Sequence, residues 1–170
     1  MEHVIAMKAE TRQQFAGLLD DHRGIVLKVA HNYAWNPDDR ADLAQEIAAQ
    51  AWRAFPGYDP DRPFSTWLYR IALNVAISFV RGDGMRRRHA VPLDETLHDL
   101  ADTSNIDPDQ QLRIKALQAF IAALKPLDRA LMLLYLEDRG YRDIADILGI
   151  SETNVATKIS RLKQRIRNEL

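Results

Sequence analysis

DPDRPFSTWLYRIALNVAISFVRGDGMRRR, residues 59–88, joins a proline-bearing loop to an aromatic-rich helical stretch and ends in a basic cluster. Pro56, Gly57, Pro60 and Pro63 break any preceding helix and hold Tyr58 to Pro63 in restricted conformations. The spacing predicts a helix from Phe64 with Leu68, Ile71, Val75 and Phe79 inward and Trp67, Arg70, Asn74 and Ser78 along another face. Gly82 and Gly84 are expected to end it. Aromatic faces stack on bases at roughly 1–3 kcal/mol each and arginines follow backbone phosphates, so this stretch suits a nucleic-acid strand whose bases are unpaired. A plain core role for Trp67 is the competing reading.

Outward from that stretch the pattern stays helical, and no convincing alternating strand occurs. Phe15, Leu18, His22, Val26, Val29 and Tyr33 predict one first helix ending near Asn36-Pro37, with His22 a packed member of the stripe. A second helix is expected from about Asp39 to Phe55, burying Leu43, Ile47, Ala51 and Phe55. Its polar, partly acidic side carries Asp42, Gln45, Glu46, Ala49 and Arg53. Residues 91–109 contain Pro92, Pro108 and repeated aspartates, hold no sustained apolar period and read as a flexible linker. Helices resume near Gln110 with Leu117, Phe120, Ile121 and Leu124, and again after Pro126 with Leu131, Leu134 and Tyr135, closed by Gly140. The expected fold is all-α: two small helical domains, 1–90 and 110–170, joined by that acidic linker.

The second domain closes on YRDIADILGISETNVATKISRLKQRIR, residues 141–167, which has the outline of a helix-turn-helix. Ile144, Ala145 and Leu148 are expected inward on a short helix, Gly149 supplies the turn, Ser151 is a good N-cap and Glu152 suits the helix dipole. Val155, Ile159, Leu162 and Ile166 form the packed stripe of the last helix. Opposite them stand Thr153, Thr157, Ser160 and Gln164, flanked by Asn154, Lys158, Arg161 and Arg165 on one side and Lys163 and Arg167 nearer the other. A polar centre bordered by cations suits base edges in a major groove with phosphates on either side. An ordinary amphipathic terminal helix is the alternative.

At 170 residues and 46% apolar content, the chain has enough side chains for packed cores. It contains no cysteine, and the histidines at 3, 22, 31, 89 and 98 lack metal-site spacing, so neither disulfide nor metal is expected. No run of about 18 apolar residues suggests a membrane span, and the start lacks the pattern of a signal peptide; the expected place is the cytoplasm. A formal net charge of −1 argues against a protein that grips duplex DNA by itself. The charges are segregated: Arg81 and Arg86 to Arg88 form one basic cluster, Lys158 to Arg167 another, with the acidic stretch between them.

Three segments together resemble bacterial RNA polymerase sigma factors of the small extracytoplasmic-function type. They are DLAQE at residues 42–46 with Ala51-Trp52, RPFSTWLYRIALNVA at 62–76, and DIADILGISETNV at 143–155, and the likeness runs from about Phe15 to Arg167. It implies a region 2 domain, a region 4 domain and a role in directing core RNA polymerase to promoters and opening DNA there. Asp42, Gln45 and Glu46 would dock on the beta-prime clamp, and the beta flap is a further implied polymerase contact. Tyr58, Asp59, Asp61, Arg62, Trp67, Arg70 and Asn74 would meet the minus-ten element, whose flipped base the Tyr58 to Pro63 loop, together with Asn74, would capture. Thr153, Asn154, Thr157, Lys158, Ser160 and Arg161 would meet the minus-thirty-five element. An anti-sigma protein or another regulator is the further implied partner.

The chain departs from the family pattern at Ala156, where relatives often carry a basic residue, and in DDRAD, where Arg40 and Ala41 replace small and acidic residues. No additional carboxy-terminal domain is expected. Neither a nucleotide-binding glycine loop nor a nucleophile with a partnered histidine occurs, so the chain is expected to need no cofactor and to be no enzyme. A stand-alone helix-turn-helix regulator is the main alternative reading, and a nucleic-acid-processing enzyme using Asp42 with Glu46 a more distant one. The Trp67 helix and its preceding loop discriminate, because a reader of closed duplex needs neither.

Overall fold

The computed structural model describes residues 2–87 and 107–170, and among them every regular element is helical, as expected for an all-α chain. The predicted first helix is two, α1 (Glu2–Asp21) and α2 (Arg23–Tyr33), hinged at His22, whose φ of −114° and ψ of 19° leave the helical region. Asp20 and Asp21 stand at the end where the helix dipole disfavours acids, and Gly24 follows, so the periodic stripe continues while the backbone does not. Residue His22 still packs as expected, its ring 4.9 Å from that of Phe64.

Helix α3 (Pro37–Ala54) starts two residues before the expected Asp39, where local chemistry places it. Asn36 accepts from the Asp39 N–H at 2.7 Å, Pro37 occupies the first turn, and Asp38 and Asp39 suit the dipole. Its predicted stripe of Leu43, Ile47 and Ala51 is buried, as is Phe55 in the 3-10 turn Phe55–Gly57 that follows. Helix α4 (Phe64–Arg87) runs on through Gly82 and Gly84 rather than ending there. A glycine inside a helix costs only about 1 kcal/mol relative to alanine. It stops the chain where the backbone turns left-handed, as Gly149 does with φ 70°.

The buried stripe of α4 is also rotated from the predicted one. Leu68, Tyr69, Ala72, Leu73 and Ala76 are buried, while Ile71, Val75 and Phe79 are only partly so. Two alanines let α4 lie close against α2 and α3, so the small residues define the packed face and the larger apolar ones flank it.

The second half comprises α5 (Pro108–Ala123), α6 (Pro126–Leu136), α7 (Tyr141–Leu148) and α8 (Glu152–Glu169). Pro108 takes the first turn of α5, so that helix begins two residues before the expected Gln110, and the linker expected over 91–109 otherwise lies largely outside the described residues. Past α6 it is Asp138, with φ 63°, that turns the chain; Gly140, expected to close that helix, is the N-cap of α7 at φ −66°.

The two halves pack against each other, with α4 against α6 and α7. Tyr33 Oη donates to the Pro126 carbonyl at 2.7 Å, and Lys28 Nζ meets Glu137 Oε2 at 2.6 Å. Buried Arg129 donates from Nη1 to the Asn32 carbonyl at 3.0 Å and from Nη2 to the carbonyls of Ala122 at 2.7 Å and Leu124 at 3.2 Å. Its guanidinium lies over the rings of Tyr33 and Trp35. Among the described residues no helix is long and apolar enough to cross a membrane.

Candidate nucleic-acid interface

The loop before α4 is held by its own polar groups. Tyr58 Oη donates to the Arg62 carbonyl at 2.8 Å, the Asp61 N–H donates to Asp59 Oδ1 at 3.0 Å, and the Arg62 N–H to the Asp59 carbonyl at 3.0 Å. A short-range turn of this kind fixes the backbone locally and leaves the Asp59, Asp61 and Arg62 side chains exposed. Beneath it lies an aromatic platform. The Tyr58 ring stacks on Phe55 at 5.8 Å and meets Trp67 at 5.1 Å and Phe64 at 5.5 Å, while Phe64 and Trp67 are 5.2 Å apart. Trp67 is therefore both packed and presented: half-buried against its neighbours, it keeps a face on a cavity of about 960 Å³.

That cavity brings together most of the residues expected at the unpaired strand, namely Tyr58, Asp59, Arg62, Trp67 and Arg70. Asp61 lies outside its lining. Asn74 stands one turn beyond Arg70 on α4 and lines a separate hollow of about 420 Å³ with Glu46, Gln50, Val75, Ser78 and Phe79. The opposite wall of the first cavity belongs to the second half of the chain: Gly140, Arg142, Asp143 and Asp146. The sequence carried no signal for that wall, because its residues fall within the helix-turn-helix pattern and meet α4 only through tertiary packing.

Asp42, Gln45 and Glu46 are exposed on one side of α3, with Gln50 Nε2 donating to Glu46 Oε1 at 3.1 Å. Arg40, by contrast, is buried, its Nε donating to the Ala34 carbonyl at 3.2 Å. The arginine of DDRAD therefore braces the turn into α3 and lies off the exposed acidic side.

In the helix-turn-helix, Ser151 Oγ accepts from the Asn154 N–H at 3.1 Å and caps α8, and Val155, Ile159 and Leu162 are buried with Ile144, Ala145 and Ile147 of α7. Ile147 takes the core position expected of Leu148, which is only partly buried. Thr153, Asn154, Thr157, Ser160 and Arg161 are exposed on one side of α8, and Lys158 is half-buried beside them. Two other cations pack at home. Lys163 Nζ lies 4.6 Å over the Tyr135 ring, and its hydrogen bond with that tyrosine favours the charged form and raises its pKa. Arg165 lies over Phe120 and beside Glu169. Of the remaining cations of α8, Arg161 and Arg167 are exposed and Lys158 is half-buried.

Two family models match in the order the architecture requires: sigma-70 region 2 over residues 18–86 and sigma-70 region 4 over residues 114–166. The chain belongs to the sigma-70 family, in its extracytoplasmic-function branch. It is 32% identical to the extracytoplasmic-function sigma factor SigE of Mycolicibacterium smegmatis, over 90% of this chain and 60% of that protein. It is 25% identical to SigW of Bacillus subtilis over 96% and 92%. This sigma factor thus spans somewhat under two thirds of the first relative and nearly all of the second. In fold it is similar to CnrH, solved with the cytosolic domain of CnrY, at a TM-score of 0.65 and 21% identity over 92% of this chain and 87% of that one. It is similar also to RpoE of Bartonella quintana, solved with the anti-sigma factor NepR, at a TM-score of 0.59 and 19% identity over 94% and 95%.

Proposed function

We propose that the chain directs core RNA polymerase to specific promoters and helps open the DNA there, region 2 holding the unpaired minus-ten strand and region 4 reading the minus-thirty-five duplex. The observation that carries this reading is the convergence of Tyr58, Arg62, Trp67 and Arg70 on one cavity beside an aromatic platform. Extruding a base from the stack costs a few kcal/mol, and a pocket that binds only the flipped base offsets part of that cost. The aromatic rings supply stacking faces and the arginines supply phosphate contacts.

The exposed Asp42, Gln45 and Glu46 are assigned to the beta-prime clamp, and exposed Thr153, Asn154, Thr157, Ser160 and Arg161, with Lys158, to the upstream element. RNA synthesis then belongs to the polymerase, and the cytoplasm is the place of work. An anti-sigma protein is the inferred regulator, in keeping with the fold of RpoE of Bartonella quintana, which was solved with the anti-sigma factor NepR. The matching of region 2 beside region 4 weighs against a stand-alone helix-turn-helix regulator.

Promoter-dependent transcription with purified core polymerase tests the reading. Initiation from a subset of genomic fragments is expected. None from any fragment, with the native core or a close relative's, would overturn it.

A further inference from the structure

Tyr58 fixes where its loop sits. Its hydroxyl closes the turn on the Arg62 carbonyl at 2.8 Å, and its ring rests on two others, stacked on Phe55 at 5.8 Å and edge-on to Phe64 at 5.5 Å. Both of those rings rest in turn on the end of the first helix. Phe55 lies 5.1 Å from Phe15 of α1, and Phe64 lies 4.9 Å from His22, the residue at which α1 gives way to α2. Phe15 and His22 stand two helical turns apart in the chain and so project to one side.

Neither residue lines the strand-binding cavity. Phe15, which precedes the residues matched to region 2, is buried and meets the exposed Trp52 at 5.3 Å; His22 is half-buried, its Nδ1 donating to the Leu18 carbonyl at 2.8 Å. Contacts between rings hold direction as well as distance, because the charge distribution of aromatic faces and edges favours tilted and offset arrangements over others. An aliphatic side chain would fill the space beside Phe55 without fixing its angle. A site discriminates among similar ligands when the residues behind it lock the rotamers of those in front.

We propose that Phe15 and His22 are positioning residues for base selection: a cradle at the end of α1 that sets Phe55 and Phe64, and through them the Tyr58 ring and the angle at which the loop meets the unpaired strand. The proposal rests on the promoter-opening reading above and adds to it two residues that act on the captured base without touching it. Because the cradle works through the loop, its loss blunts the choice among downstream bases and spares the choice of upstream duplex.

Three variants of the full-length chain test the cradle. His22→Ala removes the ring beside Phe64, His22→Tyr keeps a ring there, and Phe15→Leu keeps apolar bulk beside Phe55 without its ring. In the free chain, exchange of the Arg62 N–H, which donates to the Asp59 carbonyl, is expected at least threefold faster in His22→Ala and Phe15→Leu than in the unaltered chain, with exchange inside α8 unchanged. Unchanged Arg62 exchange in His22→Ala would overturn the cradle, whatever the transcriptional outcome and even should Phe15→Leu fail to fold. With core polymerase on promoters carrying a preformed bubble, the ratio of initiation from preferred to single-base-substituted downstream strands is expected to fall at least threefold in His22→Ala and Phe15→Leu. The ratio for upstream swaps is expected to hold, and His22→Tyr to keep both. Such ratios do not depend on how much of the chain is folded, so a loss of stability alone leaves them where they were. An unchanged downstream ratio, a parallel loss of both ratios, or equal losses in His22→Ala and His22→Tyr would overturn base selection by the cradle. Failure of the unaltered chain to initiate anywhere counts instead against the promoter-opening reading, and leaves Arg62 exchange to judge the cradle.

Discussion

Arg129 is a buried cation whose value lies in the carbonyls it serves. Its guanidinium reaches Asn32 in one half of the chain and Ala122 and Leu124 in the other, between the faces of Tyr33 and Trp35. Burial lowers its pKa and raises that of Tyr33, with each partly countered by the other, so Tyr33 stays a neutral donor to Pro126. Arg129→Met keeps the stem but leaves these carbonyls short of a donor, and should destabilise the chain by about 1–3 kcal/mol in urea unfolding. Tyr33→Phe, which removes one hydrogen bond, should cost about 1 kcal/mol. A loss under a few tenths from Arg129→Met would mean that the carbonyls are served by water. No sequence pattern points to either residue as a link between halves, because Arg129 reads as a polar interruption in an apolar helix and Tyr33 as one more member of a stripe.

At the scale of elements, what was legible depended on whether local chemistry or tertiary packing decides. Helix α8 is readable because Ser151 caps it and its large apolar residues repeat on one face, whereas for α3 the repeat of Leu43, Ile47 and Ala51 gives the helix but not its start, since Asn36-Pro37 reads as the end of the preceding helix. The break between α1 and α2 is not legible, since the stripe runs through His22 without interruption. The packed face of α4 differs from the expected one because Ala72 and Ala76 are buried where the bulkier Ile71 and Val75 are only partly so. For the candidate site, the loop, Trp67 and Arg70 could be found from residue types alone, whereas the region 4 wall and the separation of Asn74 from the loop required coordinates. The exposed acidic side of α3 yields a test of its own. Asp42→Arg with Glu46→Arg should weaken binding to core polymerase at least tenfold while shifting stability by no more than about 0.5 kcal/mol, as solvent-facing substitutions generally do. Unchanged affinity would remove this side of α3 from the docking surface. Gly149→Ala, at φ 70°, should instead cost about 1 kcal/mol of stability by straining the turn between α7 and α8.

For the whole molecule, the proposed function requires two DNA-reading elements on one chain that act separately. Arg161 is exposed on α8, whereas Trp67 and Asn74 lie on α4 at two different hollows. Arg161→Ala should weaken recognition of duplex carrying the upstream element, by about 1–3 kcal/mol if the contact is to a base edge. Asn74→Ala, or replacement of the Tyr58 to Pro63 loop, should leave upstream preference intact and impair discrimination among downstream bases. A promoter with a preformed bubble sharpens the division, because opening the duplex beforehand removes melting cost but leaves the base pocket to choose. On that template the Asn74 variant should still accept wrong downstream bases, and the Arg161 defect should follow the upstream sequence through every element swap. The two hollows on α4 add a further distinction. Asn74 shares its hollow with Glu46 of the proposed docking side, so Asn74→Ala should also alter how downstream discrimination responds to the Glu46→Arg substitution, whereas the loop variant should combine with Glu46→Arg additively. If both variants lose activity equally on all swapped promoters, the readers are one unit, and the division of labour between α4 and α8 is wrong.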